Sequence, residues 1–553
     1  MNQQSLFENI EATYLSIADV ASQLEVSTAS VRNWVKTGYL NQIGRSVISR
    51  ESFENFKNNV AGDEKLTARA NKSLKDSHDH QKLQRKFYAL VKKNDIDFEH
   101  VGSQYEESLS NAYRNKEGIY YTPIDITKRF FQYLPNSFSG LSFCDPCCGS
   151  GNFILAAIDY GIKPDNIYGY DTDPIAVELT KRRILERTGY KTNKVICIDF
   201  LESTLDRDYI CFDVIFTNPP WGKKINKKNK EMYARVLGAS KSVDTSSLFF
   251  FGCLSRLNKD GHLGFLLPDA FFNVASFEYA RKKALSLNIK ALIDFGKPFR
   301  GLLTKAKGII VQKQDACNDN FIQCEVNLQP SIKPPIKLLI RSQNSFNENP
   351  KSILNFSCSP EEATVIEHLY KRQHLSLAGN AQYGIGIVTG NNKKYCIASS
   401  KENYIAVYKG TDIHKDKLDN ASTYIPDDLS LYQQVAPKKL FLAKEKLIYR
   451  FISSDLIFYY DTHQIFFLNS VNMLILRDHF PITTKQLNQI LNSKVVNWLF
   501  KSIFETHKVL RSDLESLPIH AGYFDGHPKF TEESFINYLG LEEYRNGSFR
   551  IKK

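Results

Sequence analysis

Between residues 117 and 315 short apolar runs alternate with longer amphipathic stretches. The runs are LSFCDPCC, NIYGYDTD, KVICIDFL, DVIFTNPPW, HLGFLLPDA, KALIDFGK and KGIIVQ. Segments such as NFILAAIDYG and PIAVELTKRRILERTG lie between several of them. Continuous apolar runs bounded by turn residues read as strands buried on both faces, and the segments between them as crossover helices. The pattern predicts a doubly wound, mainly parallel α/β sheet of Rossmann-like type, with its ligand crevice at the carboxyl ends of the strands.

The pattern changes on either side. In residues 14–56, Ile17, Val20, Ala21 and Leu24 space one apolar helix face, Val26 fills a turn, and Ser27 or Thr28 can cap a second helix with Val31, Trp34 and Val35 inward. This resembles a helix-turn-helix of the MerR and excisionase type with LNQIGRSVIS as a wing. A polar stretch over 58–86 reads as a linker or solvated helix. Residues 331–553 are rich in Tyr, Phe, Ile and Lys without regular alternation; LIFYYDT and QIFFLNS read as strands and TTKQLNQILNSKVVNWLFKSIF as an amphipathic helix. The predicted organisation is a helix-turn-helix at 1–60, a helical linker at 61–116, an α/β domain at 117–330 and an α+β domain at 331–553.

Composition narrows the class. A hydrophobic fraction of 42% and a charged fraction of 24% are those of a globular protein. No apolar run is long enough to span a bilayer, and MNQQSLFENIEA lacks a signal sequence, so a cytoplasmic protein is predicted. The ten cysteines are scattered; Cys144 and Cys147 match C-x-x-C, but no second pair sits at finger spacing, so reduced core thiols and no metal are predicted. The net charge of +12 points to a polyanionic partner. It is diffuse except in KKINKKNK (223–230), whose Lys223, Lys224, Lys227 and Lys228 are candidate phosphate contacts.

The chemistry lies at the strand ends. FCDPCCGSGNFILAA places Asp145 at a strand end, then Pro146 and a turn in which Gly149 and Gly151 allow close backbone approach. The third glycine of the dinucleotide pattern is absent, which disfavours NAD. Asp171, in YGYDTDP, follows Gly149 at the spacing at which an acid receives ribose hydroxyls. A nucleoside without phosphates and with a positive charge for Asp145 to attract fits better, and S-adenosylmethionine is such a ligand. Asp199 and Phe200 suit an adenine amino group and ring face, and Tyr121, Thr122 and Pro123 precede the first strand where they can hold the amino-acid end.

Tyr-Tyr-Thr-Pro, then Asp-Pro-x-Cys-Gly-Ser-Gly, an acidic strand end, Asp-Phe and Asn-Pro-Pro-Trp, in that order, resemble the γ group of DNA amino-methyltransferases of restriction–modification systems. LNSKVVNWLFKSIF and DLESLPI resemble parts of that family's recognition domain. The resemblance implies an N6-adenine methyltransferase with double-stranded DNA as its partner and a C-terminal target-recognition domain. Any cleavage would belong to a separate cognate restriction endonuclease, because the first 116 residues show no Asp…Glu-x-Lys cluster.

It also explains DVIFTNPPW. An adenine amino nitrogen is a poor nucleophile because its lone pair is delocalised into the ring. The Asn218 side-chain carbonyl and the Pro219 backbone carbonyl can accept both amino hydrogens, on a corner stiffened by Pro219 and Pro220. Trp221 is then expected to stack on a flipped base. The family places a second aromatic on a late strand, and IDFGKPFRG makes Phe299 the candidate. The same corner serves cytosine N4, guanine in RNA and glutamine of release factors. Cytosine N4 enzymes more often carry Ser at the Asn218 position. A DNA-binding regulator that kept the fold and lost catalysis is the other alternative.

Overall fold

The computed structural model describes residues 14–23, 28–36, 39–44, 47–59, 86–91, 97–108, 120–135, 140–206, 209–223, 225–299, 302, 304–327, 336–544 and 547–552. Leu24, Val26, Ser27 and Lys224, singled out above, lie outside them.

A nine-stranded sheet organises the middle of the chain. Its strands are β1 (Phe143–Asp145), β2 (Ile167–Asp171), β3 (Val195–Cys197), β4 (Phe212–Thr217), β5 (Leu257–Pro268), β6 (Leu287–Asp294), β7 (Ala306–Asp315), β8 (Phe321–Asn327) and β9 (Ile336–Ser342). They lie in the order β9-β8-β6-β7-β5-β4-β1-β2-β3. The five strands from β3 to β5 are parallel. β7 runs antiparallel between β5 and β6, β8 parallel to β6, and β9 antiparallel at the edge. All seven runs read as strands above form strands. β8 and β9 were not foreseen, and they carry the sheet past residue 330 to Ser342. β9 is the edge strand, and Ile336, Leu338 and Ile340 on its outer face are left exposed.

Helices α1 (Phe98–Ser108), α2 (Ile124–Phe131), α3 (Asn152–Asp159), α4 (Pro174–Thr188), α5 (Lys227–Val236) and α6 (Thr245–Ser255) accompany the sheet. The chain winds outward from β1 to β3, then returns to β4 and β5 on the other side of β1. This makes the β1/β4 boundary the switch point at which an open parallel sheet offers a crevice. The turn after β1 needs its glycines. Gly151 is the N-cap of α3 at φ +86°, and a Cβ there would come within 2.8 Å of the Thr180 hydroxyl oxygen on α4.

The 61–116 segment is more than a linker. Phe98, Val101 and Tyr105 of α1, with Phe87 and Val91, bury an apolar face against Ile175 and Leu179 of α4. A one-sided stripe on a charged helix looks solvated in sequence; its partner is supplied only by the fold.

Residues 14–59 have their own small core of Val20, Val31, Trp34, Ile48, Phe53 and neighbours. It is built from helices Ile17–Gln23, Thr28–Lys36 and Arg50–Asn59 around three short antiparallel strands. Thr28 and Arg32 face outward.

In the C-terminal segment, Ala381–Ile385, Val471–Leu476, Lys446–Arg450 and Phe458–Asp461 form a four-stranded sheet in that order. The predicted single amphipathic helix is two, Thr484–Asn492 and Lys494–Phe504. Ser493 breaks it by turning extended and capping the second helix through its hydroxyl.

Candidate active site

The carboxyl ends of β1, β2, β3 and β4 open into one cavity. Pro146, Cys147 and Gly149 come from the first end; Asp171, Thr172 and Asp173 from the second; Ile198, Asp199 and Phe200 from the third; and Asn218 and Pro220 from the fourth. Tyr120, Tyr121 and Lys223 complete part of the rim. A smaller recess behind it reaches Thr122, Asp145, Ser150 and Asn152. The glycine turn is pinned from behind: Thr180 Oγ1 donates to the Gly149 carbonyl at 2.9 Å, and Arg183 to the Ser150 carbonyl at 2.6 Å. A Cβ on Gly149, at φ +50°, would strike the Tyr121 ring at 2.7 Å, so glycine is required there.

Four carboxylates surround this space. Asp145 is buried and accepts from Thr217 Oγ1 at 2.7 Å and the Cys147 amide at 3.0 Å. Burial pushes its carboxyl up to about 7 despite those bonds. Asp171 accepts the Gly149 amide on one oxygen and the Asp173 amide on the other, at 2.8 and 2.9 Å, and burial raises it to about 6. Asp173 caps α4 through the Ile175 amide and accepts from Tyr105 Oη at 2.6 Å. Asp199 caps the turn Phe200–Ser203 through the Leu201 amide, and Phe200 stacks on Phe249 at 5.9 Å. Carboxyls raised by burial favour a cationic occupant, which stabilises their charged form.

At the end of β4, the Asn218 amide group is divided. Its Nδ2 donates to the Tyr120 carbonyl at 2.7 Å, while Oδ1 is buried and has no protein hydrogen-bond partner. Spending the donor on a carbonyl fixes the flip of the amide and leaves a bare acceptor at the cavity edge. Pro219 is buried behind it. Trp221 follows, its indole donating to the Leu266 carbonyl of β5 at 3.3 Å. Phe299 meets Trp221 edge to face at 5.3 Å and 85°, and Tyr120 leans on both rings at 6.0 and 5.5 Å. The two aromatics expected to flank a base are therefore neighbours, but they stand perpendicular and in contact. A base placed between them requires one ring to move.

Not every candidate reaches the cavity. Pro123 is exposed at the N-cap of α2, and Gly151 sits beneath the turn against Thr180. The lysines separate: Lys223 is half-buried on the cavity rim, where its charge lowers Asp171, whereas Lys227 is 91% exposed and Lys228 exposed on α5. Cys144 and Cys148 are buried, and Cys148 packs under Gly169 of β2. Among the described residues no cluster of His, Cys, Asp or Glu is arranged to hold a metal ion, and no helix is long and apolar enough to cross a membrane. Sequence reasoning passed over Tyr120, Tyr105, Thr180 and Arg183. Tyr120 had a signal in the doubled tyrosine before Thr122; the others act only through the fold.

Comparison with known proteins bears on the same regions. Residues 96–325 match the family model described as N-6 DNA Methylase, and residues 405–519 that of the TaqI-like C-terminal specificity domain. The chain is 50% identical over 413 residues to the Type II methyltransferase M.VspI of Vibrio sp. (strain 343), across 75% of this chain and 99% of that one. It is 24% identical over 235 residues to the modification methylase CviBIII of Paramecium bursaria Chlorella virus NC1A, across 42% of this chain and 54% of that one. Among solved structures, a nuclease-deletion mutant of the Type ISP restriction-modification enzyme LlaGI in complex with a DNA substrate mimic is similar. It has a TM-score of 0.48 and 12% identity, over 94% of this chain and 67% of that one. With half of 413 aligned residues identical across nearly the whole of a Type II methyltransferase, the chain belongs to the N-6 DNA methylase family of restriction–modification methyltransferases and carries a TaqI-like specificity domain.

Proposed function

We propose that this chain transfers a methyl group from S-adenosylmethionine to the N6 amino group of an adenine flipped out of double-stranded DNA, as the modification component of a restriction–modification system. The observation that carries the reading is Asn218. A buried amide oxygen without a partner costs about 1–3 kcal/mol, and it is retained where a ligand is to supply the donor. An exocyclic amino group has two hydrogens to give. Asn218 Oδ1 accepts one, and the Pro219 carbonyl is assigned the other. Asn218 takes no proton; it holds both the hydrogen and the geometry that frees the nitrogen lone pair.

The cavity residues fit the cofactor. Asp171 and Asp199 line the cavity and are assigned the ribose hydroxyls and the adenine amino group, Phe200 is assigned the ring face, and Asp145 with the Thr122 recess the cationic amino-acid end. The cofactor supplies an electrophilic methyl on a sulfonium centre. The chain's own task is to hold the acceptor corner rigid and to exclude water from it. Trp221 stacks on the base, worth about 1–3 kcal/mol, and Phe299 closes the other side after the aromatic cluster opens. The C-terminal segment reads base edges, Lys227 and Lys228 meet phosphates, and the unit at 14–59 is an additional DNA contact of the helix-turn-helix kind. Sequencing that reports modified bases in DNA from cells expressing the chain tests this: N6-methyladenine at one recurring site is expected. N4-methylcytosine would refute the adenine assignment, and unmodified DNA the activity.

A further inference from the structure

The methylase and specificity regions meet at an ionic cluster on the catalytic end of the sheet. Lys307, the second residue of β7, is 4% exposed, with its ammonium 2.7 Å from Asp269 and 2.9 Å from Glu505. Asp269 directly follows β5. Glu505 is the C-cap of helix Lys494–Phe504, held in the left-handed region at φ +46°, and it also accepts from the Ser357 hydroxyl. Burial alone pushes the Lys307 ammonium down, but Glu505 and Asp269 reverse this and hold it above its ordinary value; Lys307 in turn keeps the half-buried Glu505 carboxyl low. Beside the cluster, Asn273 Nδ2 donates to the Phe504 carbonyl at 2.8 Å.

Short connections lead from Lys307 to the base-receiving corner. Lys307 sits opposite Leu267 in the β7–β5 ladder, and the adjoining Leu266 carbonyl holds the Trp221 indole. Its other neighbour, Ala306, donates its amide to the Gly296 carbonyl at 2.8 Å, at the root of the loop that carries Phe299. Burying such a cluster is a weak source of stability, since well-packed apolar side chains serve as well or better. What it supplies is a fixed geometry between the two regions.

We propose that Lys307 and Glu505 are positioning residues that couple the seat of the specificity domain on DNA to the aromatic corner formed by Trp221 and Phe299. This rests on the reading of that corner given above. The full-length chain is tested on a duplex carrying its modified site, with 2-aminopurine at the target position to report extrusion of the base without methyl transfer. Glu505→Gln removes the charge and retains a side chain for Ser357. The expected result is a single-turnover methylation rate lower by about tenfold or more, with reduced extrusion, while dissociation constants for DNA and S-adenosylmethionine stay within about threefold. Adding Lys307→Met should cost less than the two single losses combined, because the variants remove one shared interaction. An unchanged rate and extrusion in Glu505→Gln, a loss confined to DNA affinity, or fully additive losses each overturn the proposal. Should Lys307→Met fail to fold, Glu505→Gln alone decides. A parent chain that extrudes no base refutes the reading of the corner instead.

Discussion

Asn218→Ala separates catalysis from folding. The substitution removes one bond, from Nδ2 to the Tyr120 carbonyl, with a net worth of about 0.5–1.5 kcal/mol. It also removes a buried oxygen that has no partner, whose desolvation costs about 1–3 kcal/mol in the unliganded fold. The two nearly cancel, so stability should stay within about 1 kcal/mol of the parent or rise slightly. Methyl transfer should behave quite differently. Losing one aimed group in a dry site typically lowers turnover about 10²–10³-fold, or about 2.7–4 kcal/mol of barrier. Denaturant melts give the first quantity, single-turnover transfer of labelled methyl the second, and calorimetry checks that cofactor affinity stays within a few-fold. Retention of more than about a tenth of the turnover would refute the acceptor role. A stability loss above about 2 kcal/mol would show that Oδ1 is not the unpaired group it is taken to be.

Three other outcomes follow from the geometry. Asp145 and Asp171, raised by burial to about 7 and about 6, bind protons in the unliganded fold that the unfolded chain has released. Stability should therefore fall as pH rises from about 4 to about 7, and a cationic cofactor should release protons near pH 6.5 (midway between the two), seen by calorimetry in buffers of different ionisation enthalpy; equal heats in both buffers would contradict it. Chains beginning near residue 86 should keep cofactor binding, whereas chains beginning after residue 108 should lose it with Tyr105 and its bond to Asp173; unchanged affinity in the shorter chain would show that α1 is dispensable. Lys227→Ala with Lys228→Ala should weaken binding to all DNA sequences and lower the salt slope by about 1 per lysine. Lys223→Ala should instead alter cofactor affinity, as its place on the cavity rim requires, and a salt slope altered equally by all three would remove that distinction.

Local sequence determined the elements and the order of the chemistry. Apolar runs of strand length gave β1 to β7, and the residues at their carboxyl ends include Asp145, Asp171, Asp199 and Asn218. In a parallel sheet, consecutive strand ends must converge on one side, so reading the strands also located most of the cavity wall. The tertiary structure decided what depends on partners distant in sequence. β8, FIQCEVN, interleaves apolar and polar residues, and its place in the sheet comes only from its pairing with β6 and β9. Helix α1 looked like a solvated linker because its apolar stripe has meaning only against Ile175 and Leu179. The Asn218 amide could be proposed as an acceptor from its motif, but which of its ends faces the cavity was decided by the Tyr120 carbonyl, 98 residues earlier in the chain. Lys223 left the company of Lys227 and Lys228 because the turn after Trp221 points it back to the rim before α5 begins. Periodicity records how each segment is solvated, whereas hydrogen bonds and charges between distant segments arise only when the sheet brings them together.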